Sequence, residues 1–356
     1  MGDRVKKRVI VTHPQVPFVT GGAEMLSHTL VEQINLRLDG VEADLVQIPW
    51  TWEPPFEILA NCATWRMLQV EEVDGMKVDL LIGTKFPSYA ARHENKVLWL
   101  VHQHRIFYEL QGSCYDKPEL SLEEEVVRDR VRAIDKDYLR ECHSRFTIAH
   151  TVSERLKKFN NLDSTPLFPP PRLRDRIRPG EFGEEVLYIG RLNEWKRPDL
   201  LISALASCKQ AKACFLGTGS SAYVEKLEKM VQELDLADRC HLAGFVSDTE
   251  LLERLAKARA IFYAPVSEDY GFATIEAFLA KKPVITCKDS GEVERFVGQT
   301  GSGFVLDPQA AAIAKALDKV YSLSAAELEG MALSGFELAH TISWAKVLER
   351  LVVPHL

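Results

Sequence analysis

Residues 260–287 read AIFYAPVSEDYGFATIEAFLAKKPVITC. An apolar run, AIFYAP at 260–265, leads into a polar turn that holds Glu268, Asp269 and Gly271. A helical pattern begins near Ala273 with Glu276 in its first turns, and a second apolar run, PVITC at 283–287, follows it. Two short strands separated by a helix are joined by a crossover, so they lie parallel in a sheet covered by helices on both faces.

The same alternation extends outward in both directions. In the second half it repeats at EVLYIG (185–190), ACFLG (213–217), RCHLAG (239–244) and GFVLD (303–307). In the first half the strand candidates are RVIVTH (8–13), ADLVQI (43–48), VDLLIG (78–83), KVLWLV (96–101) and RFTIAH (145–150). Helical segments lie between them, such as Ala23 to Leu38 with Leu26, Leu30 and Ile34 on one face. The alternation stops at TPLFPPP (165–171) and the following stretch to Pro179, because consecutive prolines continue neither a helix nor an interior strand. The expected fold is therefore α/β, two tandem Rossmann-like doubly wound domains facing a cleft, over 1–168 and 169–337. A helix over about 338–356 is a candidate to pack back on the first domain.

With 356 residues, 46% hydrophobic and 27% charged, the chain suits two folded cores and leaves no room for an extended disordered region. A net charge of −7 with interspersed signs disfavours a nucleic-acid binder. The seven cysteines (Cys62, Cys114, Cys142, Cys208, Cys214, Cys240 and Cys287) form no C-x-x-C pair and read as reduced thiols of a cytoplasmic protein. VIVTH near the start is too short for a signal-peptide core, and no run reaches membrane-span length, so neither secretion nor insertion is expected. The basic stretch Arg155 to Lys158 is a candidate peripheral membrane contact. SLEEEVVRDRVRAIDKDYLREC (121–142) suits a charged surface helix, and its Asp135-Lys136-Asp137 string reads as a solvated face rather than a metal site.

The turn at 266–274 carries the chemistry. A helix N-terminus presents unpaired N–H groups and a positive dipole end, so a glycine turn there suits a phosphate, to which Thr274 could add a hydroxyl. Glu268 and Glu276 stand eight positions apart, one on the turn and one on the helix, and carboxylates accept hydrogen bonds from vicinal sugar hydroxyls. This E-x7-E spacing and the string around it resemble the retaining GT-B glycosyltransferases of family 4. Gly21-Gly22-Ala23-Glu24 resembles that family's glycine-rich loop, and YIGRLNEWKRPDLLISAL (188–205) resembles its Arg-x4-Lys segment. FLGTGS (215–220) and HLAGFVSDTELLERLAKARAIFYAP (241–265) resemble its nucleotide-side strands.

The resemblance implies a retaining, metal-independent transfer from a nucleoside diphosphate sugar to an acceptor hydroxyl, with no further cofactor. Arg191 and Lys196 would hold the diphosphate, Glu276 the ribose and Glu268 the donor sugar. The amides of Gly271, Phe272, Ala273 and Thr274 would cap the phosphates, and the Gly21-Gly22 loop would close over them. Gly217 would lie beside the donor, with Phe245 and Val246 near the base. His102, at the end of KVLWLV, takes the place of a histidine near the donor sugar, and His104 competes with it on the same loop. Trp50, Trp52, Trp65, Trp99 and Trp344 read as core residues, with Trp50 and Trp52 kept as acceptor-docking candidates. The sequence departs from the family at Lys281, where the turn usually has glycine, and His13-Pro14 has no clear counterpart. A sugar-nucleotide 2-epimerase and a non-catalytic sugar-nucleotide sensor remain as alternatives.

Overall fold

The structure is a computed structural model that describes residues 6–18, 21–113 and 119–356, in two compact units. One comprises Met1–Arg172 with Ser343–Leu356, the other Leu173–Ile342. In the first, strands β1 (Lys7–Gln15), β2 (Val41–Pro49), β5 (Leu80–Gly83), β6 (Lys96–Leu100), β7 (Ser144–Thr147) and β8 (Thr165–Pro166) form one sheet, and β3 (Glu72–Val73) and β4 (Met76–Lys77) form a small hairpin. Helices α1 (Gly22–Arg37), α2 (Phe56–Met67), α3 (Leu122–Tyr138) and α4 (His150–Asn160) connect them.

The second unit carries β9 (Glu185–Ile189), β10 (Lys212–Leu216), β11 (Cys240–Gly244), β12 (Ala260–Phe262), β13 (Val284–Cys287) and β14 (Gly303–Leu306). Its helices are α5 (Pro198–Leu205), α6 (Ser221–Glu233), α7 (Asp248–Lys257), α8 (Phe272–Leu279), α9 (Glu292–Thr300), α10 (Ala310–Ser322) and α11 (Ala325–Thr341). Both six-stranded sheets are parallel, in the orders β2-β1-β5-β6-β7-β8 and β11-β10-β9-β12-β13-β14. Their inner strands are largely apolar because helices cover both faces: every residue of β6 and β13 is buried, Lys96 and Thr286 included. Each order reverses direction once, between β1 and β5 and between β9 and β12, and such reversals open a crevice at the strands' carboxyl ends.

The unit boundary lies four residues beyond the expected one, at 172/173, because the proline segment is built into the first unit. Thr165 and Pro166 form the edge strand β8, where a missing N–H is tolerated, Trp99 Nε1 donates to Leu167 O at 2.9 Å, and Pro169, Pro170 and Pro171 are buried. The C-terminal segment divides at Ser343: α11 stays in the second unit, whereas α12 (Trp344–Leu351) joins the first, its Trp344 packed edge-on against Trp99 with centroids 6.2 Å apart.

The structure also corrects the solvated reading of Asp135. Ser121 starts α3 with a capping box to Glu124, but Asp135 is 0% exposed. Its carboxylate accepts from Tyr89 OH (2.7 Å), Tyr108 OH (2.7 Å) and Gln103 Nε2 (3.0 Å). Burial pushes its pKa up to about 6 against the pull of these three donors. Six cysteines are buried and free, whereas Cys114 lies outside the described residues. Among the described residues no helix is long and apolar enough to cross a membrane.

Candidate active site

The reversal between β9 and β12 places the two most chemical loops of the second unit side by side. After β9, Asn193 Oδ1 accepts from Lys196 N at 3.1 Å and fixes the short turn that aims Lys196. The loop after β12 is tied to this turn by Val266 N donating to Trp195 O at 2.8 Å. As a result Lys196 Nζ makes a short, direct ion pair with Glu268 Oε2, with side chains 22% and 19% exposed. Tyr263, at the end of β12, joins the two. Lys196 Nζ donates to its hydroxyl at 3.0 Å, the hydroxyl lies 3.2 Å from Glu268 Oε1, and the ammonium sits 5.3 Å from its ring centroid. Burial first, and then the Glu268 charge, hold the phenol pKa well above 10, so Tyr263 stays a donor to Glu268.

Gly271 begins α8 with φ +86°, and a Cβ there would lie 2.4 Å from Val293 Cγ2, so only glycine fits. The first-turn amides of α8 follow, on Phe272 and Ala273. The Thr274 amide is not one of the free donors expected, because it already donates to Gly271 O at 2.9 Å. Its hydroxyl remains: Thr274 is fully buried, and Oγ1 lacks a hydrogen-bond partner among the described residues, the kind of orphan a bound ligand oxygen satisfies. Glu276 is half-buried on the same helix.

Further support was not visible in the sequence. Gly291 (φ +62°) lets the turn before α9 touch the Glu268 backbone, where a Cβ would meet Glu268 O at 2.3 Å. Ser267 N donates to Asp289 O at 2.7 Å, and the Arg197 guanidinium grips the Asp289 carboxylate at 2.8 and 2.6 Å. The signal for Gly291 was its place in a DSGE turn after a strand; Tyr263 looked like one more strand aromatic.

The remaining expected residues sit on neighbouring strand ends. Arg191 is exposed after β9, and its carbonyl accepts from Tyr188 OH at 2.8 Å. Gly217, after β10, has a packing reason to be glycine: a Cβ would lie 1.8 Å from Gly190 O, and its amide donates to Gly244 O at 2.8 Å rather than being open to a ligand. Phe245 is 85% exposed after β11, with Val246 half-buried beside it. Lys281 takes φ +52°, the conformation the usual glycine would supply, with its ammonium on Glu329 at 3.1 Å and over the Phe336 ring.

In the first unit the reversal between β1 and β5 is filled by the chain's own polar groups. Gly21 N donates to Glu24 Oε2 at 2.9 Å, so the glycine loop is pinned by its own helix. Glu24 Oε1 accepts from Lys85 Nζ at 3.3 Å and lies 3.7 Å from His13 Nε2. Burial would raise the Glu24 pKa, but the nearby imidazole and ammonium hold it well below the usual carboxylate range. His13 Nδ1 lies 2.8 Å from both Thr84 Oγ1 and Ser27 Oγ, and burial lowers its pKa, so the ring is neutral at pH 7.

His102 and His104 differ clearly. His104 stacks among Phe107 (4.5 Å), Phe86 (5.5 Å) and Trp50 (5.9 Å), and burial, with Lys85 nearby, lowers its pKa to about 4. It is a neutral packing residue. His102 is half-buried at the end of β6, its Nδ1 2.7 Å from Gln103 O. Trp50 is likewise core at 8% exposed, which leaves Trp52, 47% exposed, as the acceptor-side candidate of the two. Among the described residues no group of three or more His, Cys, Asp or Glu side chains is placed to hold a metal.

Residues 172–331 match the sequence model of the family described as glycosyl transferases group 1. The alpha-1,3/1,6-mannosyltransferase ALG2 of Mus musculus is 25% identical over 191 residues, 49% of this chain and 45% of that protein. The match thus spans about half the length of this curated relative. A solved sucrose-phosphate synthase from Thermosynechococcus elongatus shares the fold with a TM-score of 0.74 at 17% identity, covering 97% of each chain. Anabaena HepE, solved in complex with UDP-glucose, does so at 0.68 and 16% identity, covering 94% of this chain and 95% of its own. The second half thus carries a glycosyl transferases group 1 domain, and the two parallel-sheet units have the GT-B fold.

Proposed function

We propose that the protein transfers a sugar from a nucleoside diphosphate sugar to an acceptor hydroxyl, with retention at the anomeric carbon and without a metal. The observation that carries this is the Lys196–Tyr263–Glu268 cluster at the β9/β12 reversal, in the same loops as the N-terminus of α8. A cation and a helix N-terminus stabilise a leaving diphosphate, and a carboxylate beside them accepts hydrogen bonds from sugar hydroxyls.

In the step itself, the bond from the anomeric carbon to the β-phosphate oxygen breaks and its electron pair leaves with the diphosphate. Lys196, Arg191 and the α8 amides offset the charge that develops. The acceptor oxygen bonds the same face of the anomeric carbon, and its proton passes to the departing phosphate oxygen. Glu268 orients the donor sugar, Glu276 the ribose, and His102 is assigned to act at the donor sugar. Such a front-face route asks for positioning and electrostatics rather than a nucleophile.

A panel of nucleoside diphosphate sugars assayed for nucleotide release, with mass spectrometry and proton NMR of the product, tests the proposal. Expected are an added hexose mass on the acceptor, an anomeric configuration equal to the donor's, and turnover that survives EDTA. An inverted product or loss of turnover in EDTA would overturn the corresponding part. A new sugar formed from donor alone would point to an epimerase, and nucleotide binding without release to a sensor.

A further inference from the structure

Asp135 is a fully buried acid that the reaction as proposed does not use. Its three hydrogen-bond partners, Tyr89, Gln103 and Tyr108, are all neutral, so no cation among them compensates for burying the carboxylate. Two of them, Gln103 and Tyr108, lie on the segment that leaves β6, the one that carries His102. Gln103 links the two ends. Its side-chain Nε2 donates to Asp135 Oδ2 at 3.0 Å, and its backbone carbonyl lies 2.7 Å from His102 Nδ1.

We propose that Asp135 is a positioning residue for His102: by holding Gln103 it fixes the carbonyl that His102 Nδ1–H donates to, and thereby the ring's orientation and tautomer. The logic is that of a supporting carboxylate behind an active histidine, with one amide residue inserted between them. An asparagine at 135 would nearly match the shape, yet in the rotamer that turns its NH2 group toward Gln103 Nε2 it places donor against donor. The role rests on His102 acting at the donor sugar as proposed above.

The test uses the full chain as Asp135→Asn, Gln103→Leu and the double variant, with Val131→Ala, buried on the same helix, as a packing control. Each single variant should lower saturated turnover about tenfold while the donor KM stays within about twofold. The double variant should fall no further than the weaker single, because both act through one chain of contacts. Nitrogen-15 NMR of labelled histidines should show His102 as the Nδ1–H tautomer in the parent and as a mixture in both singles. Val131→Ala should keep parental turnover and the parental His102 signal. Unchanged turnover in folded Gln103→Leu, an unchanged His102 tautomer, or multiplying losses in the double variant would overturn the proposal. If Asp135→Asn does not fold, Gln103→Leu alone decides. A chain with no transferase activity, or His102→Ala with full turnover, would sink the donor-site reading instead, and the tautomer shift would still test the positioning.

Discussion

The two sheets reverse direction in the same way, between β1 and β5 and between β9 and β12, yet the two reversals are furnished oppositely. The first is plugged: His13 is wholly buried, Glu24 nearly so, and Glu24 binds Lys85 and the Gly21 amide. The second keeps its charges at the surface, with Lys196 and Glu268 each about a fifth exposed and, in the adjoining helix, a buried Thr274 hydroxyl that lacks a hydrogen-bond partner among the described residues. A shared topology supplies the crevice, and the side chains decide whether it serves stability or a ligand.

That contrast can be broken or sharpened by substitution. Gly271→Ala should do the most damage, because it combines a left-handed conformation with a methyl 2.4 Å from Val293 Cγ2. It should cost about 3 kcal/mol in urea unfolding and abolish donor binding by calorimetry. Parental affinity in this variant would mean that the α8 turn is not part of the site.

Asp135 supplies a pH test within the first unit. Its folded pKa of about 6 lies above its ordinary 3.8, so the fold favours the protonated acid. That stabilisation is fully present below about pH 4 and is lost as pH rises through about 6. Tyr89, Tyr108 and the Cys62 thiol face the carboxylate, and burial, followed by the Asp135 charge, raises their pKa values, so they do not titrate in this range. Relative to Asp135→Asn, the parent should lose somewhat under about 3 kcal/mol of stability between pH 4 and pH 7, read from urea midpoints. A pH-independent difference would contradict a titrating Asp135.

Glu24→Ala leaves Lys85, His13 and the Gly21 amide short of a partner, and should cost about 2 kcal/mol while changing nucleotide affinity little. A large affinity loss with intact stability would show that the first reversal is a ligand site after all. Lys281→Gly should be the mildest, within about 1 kcal/mol by thermal melting, since glycine relieves the φ of +52° but gives up the Glu329 pair.

The same contrast explains what the sequence could reveal. The strand–turn–helix at 260–279 holds Glu268, Gly271 and Glu276 within one local unit, so spacing alone exposed it. Lys196 was legible only through the resemblance of residues 188–205 to the family's Arg-x4-Lys segment. The first unit's polar cluster was not, because it is assembled from distant positions: Asp135 meets residues 46, 32 and 27 places away, and Glu24 meets Lys85 across 61. Nothing local marks such a carboxylate as buried, so a D-x-D string on a charged helix reads as solvated. Tyr263 was hidden differently, since a strand-end tyrosine looks apolar until its hydroxyl is seen between Lys196 and Glu268. The sheet order that makes β9 and β12 neighbours is likewise a long-range fact.

Saturated turnover of Lys196→Ala, assayed as nucleotide release with the preferred donor, bears most directly on the β9/β12 reversal as the reacting site. If Lys196 offsets the charge of a leaving diphosphate as proposed, its removal should lower turnover by about two to three powers of ten while the fold, by circular dichroism, stays intact. Turnover at the parental rate from a folded variant would contradict the account.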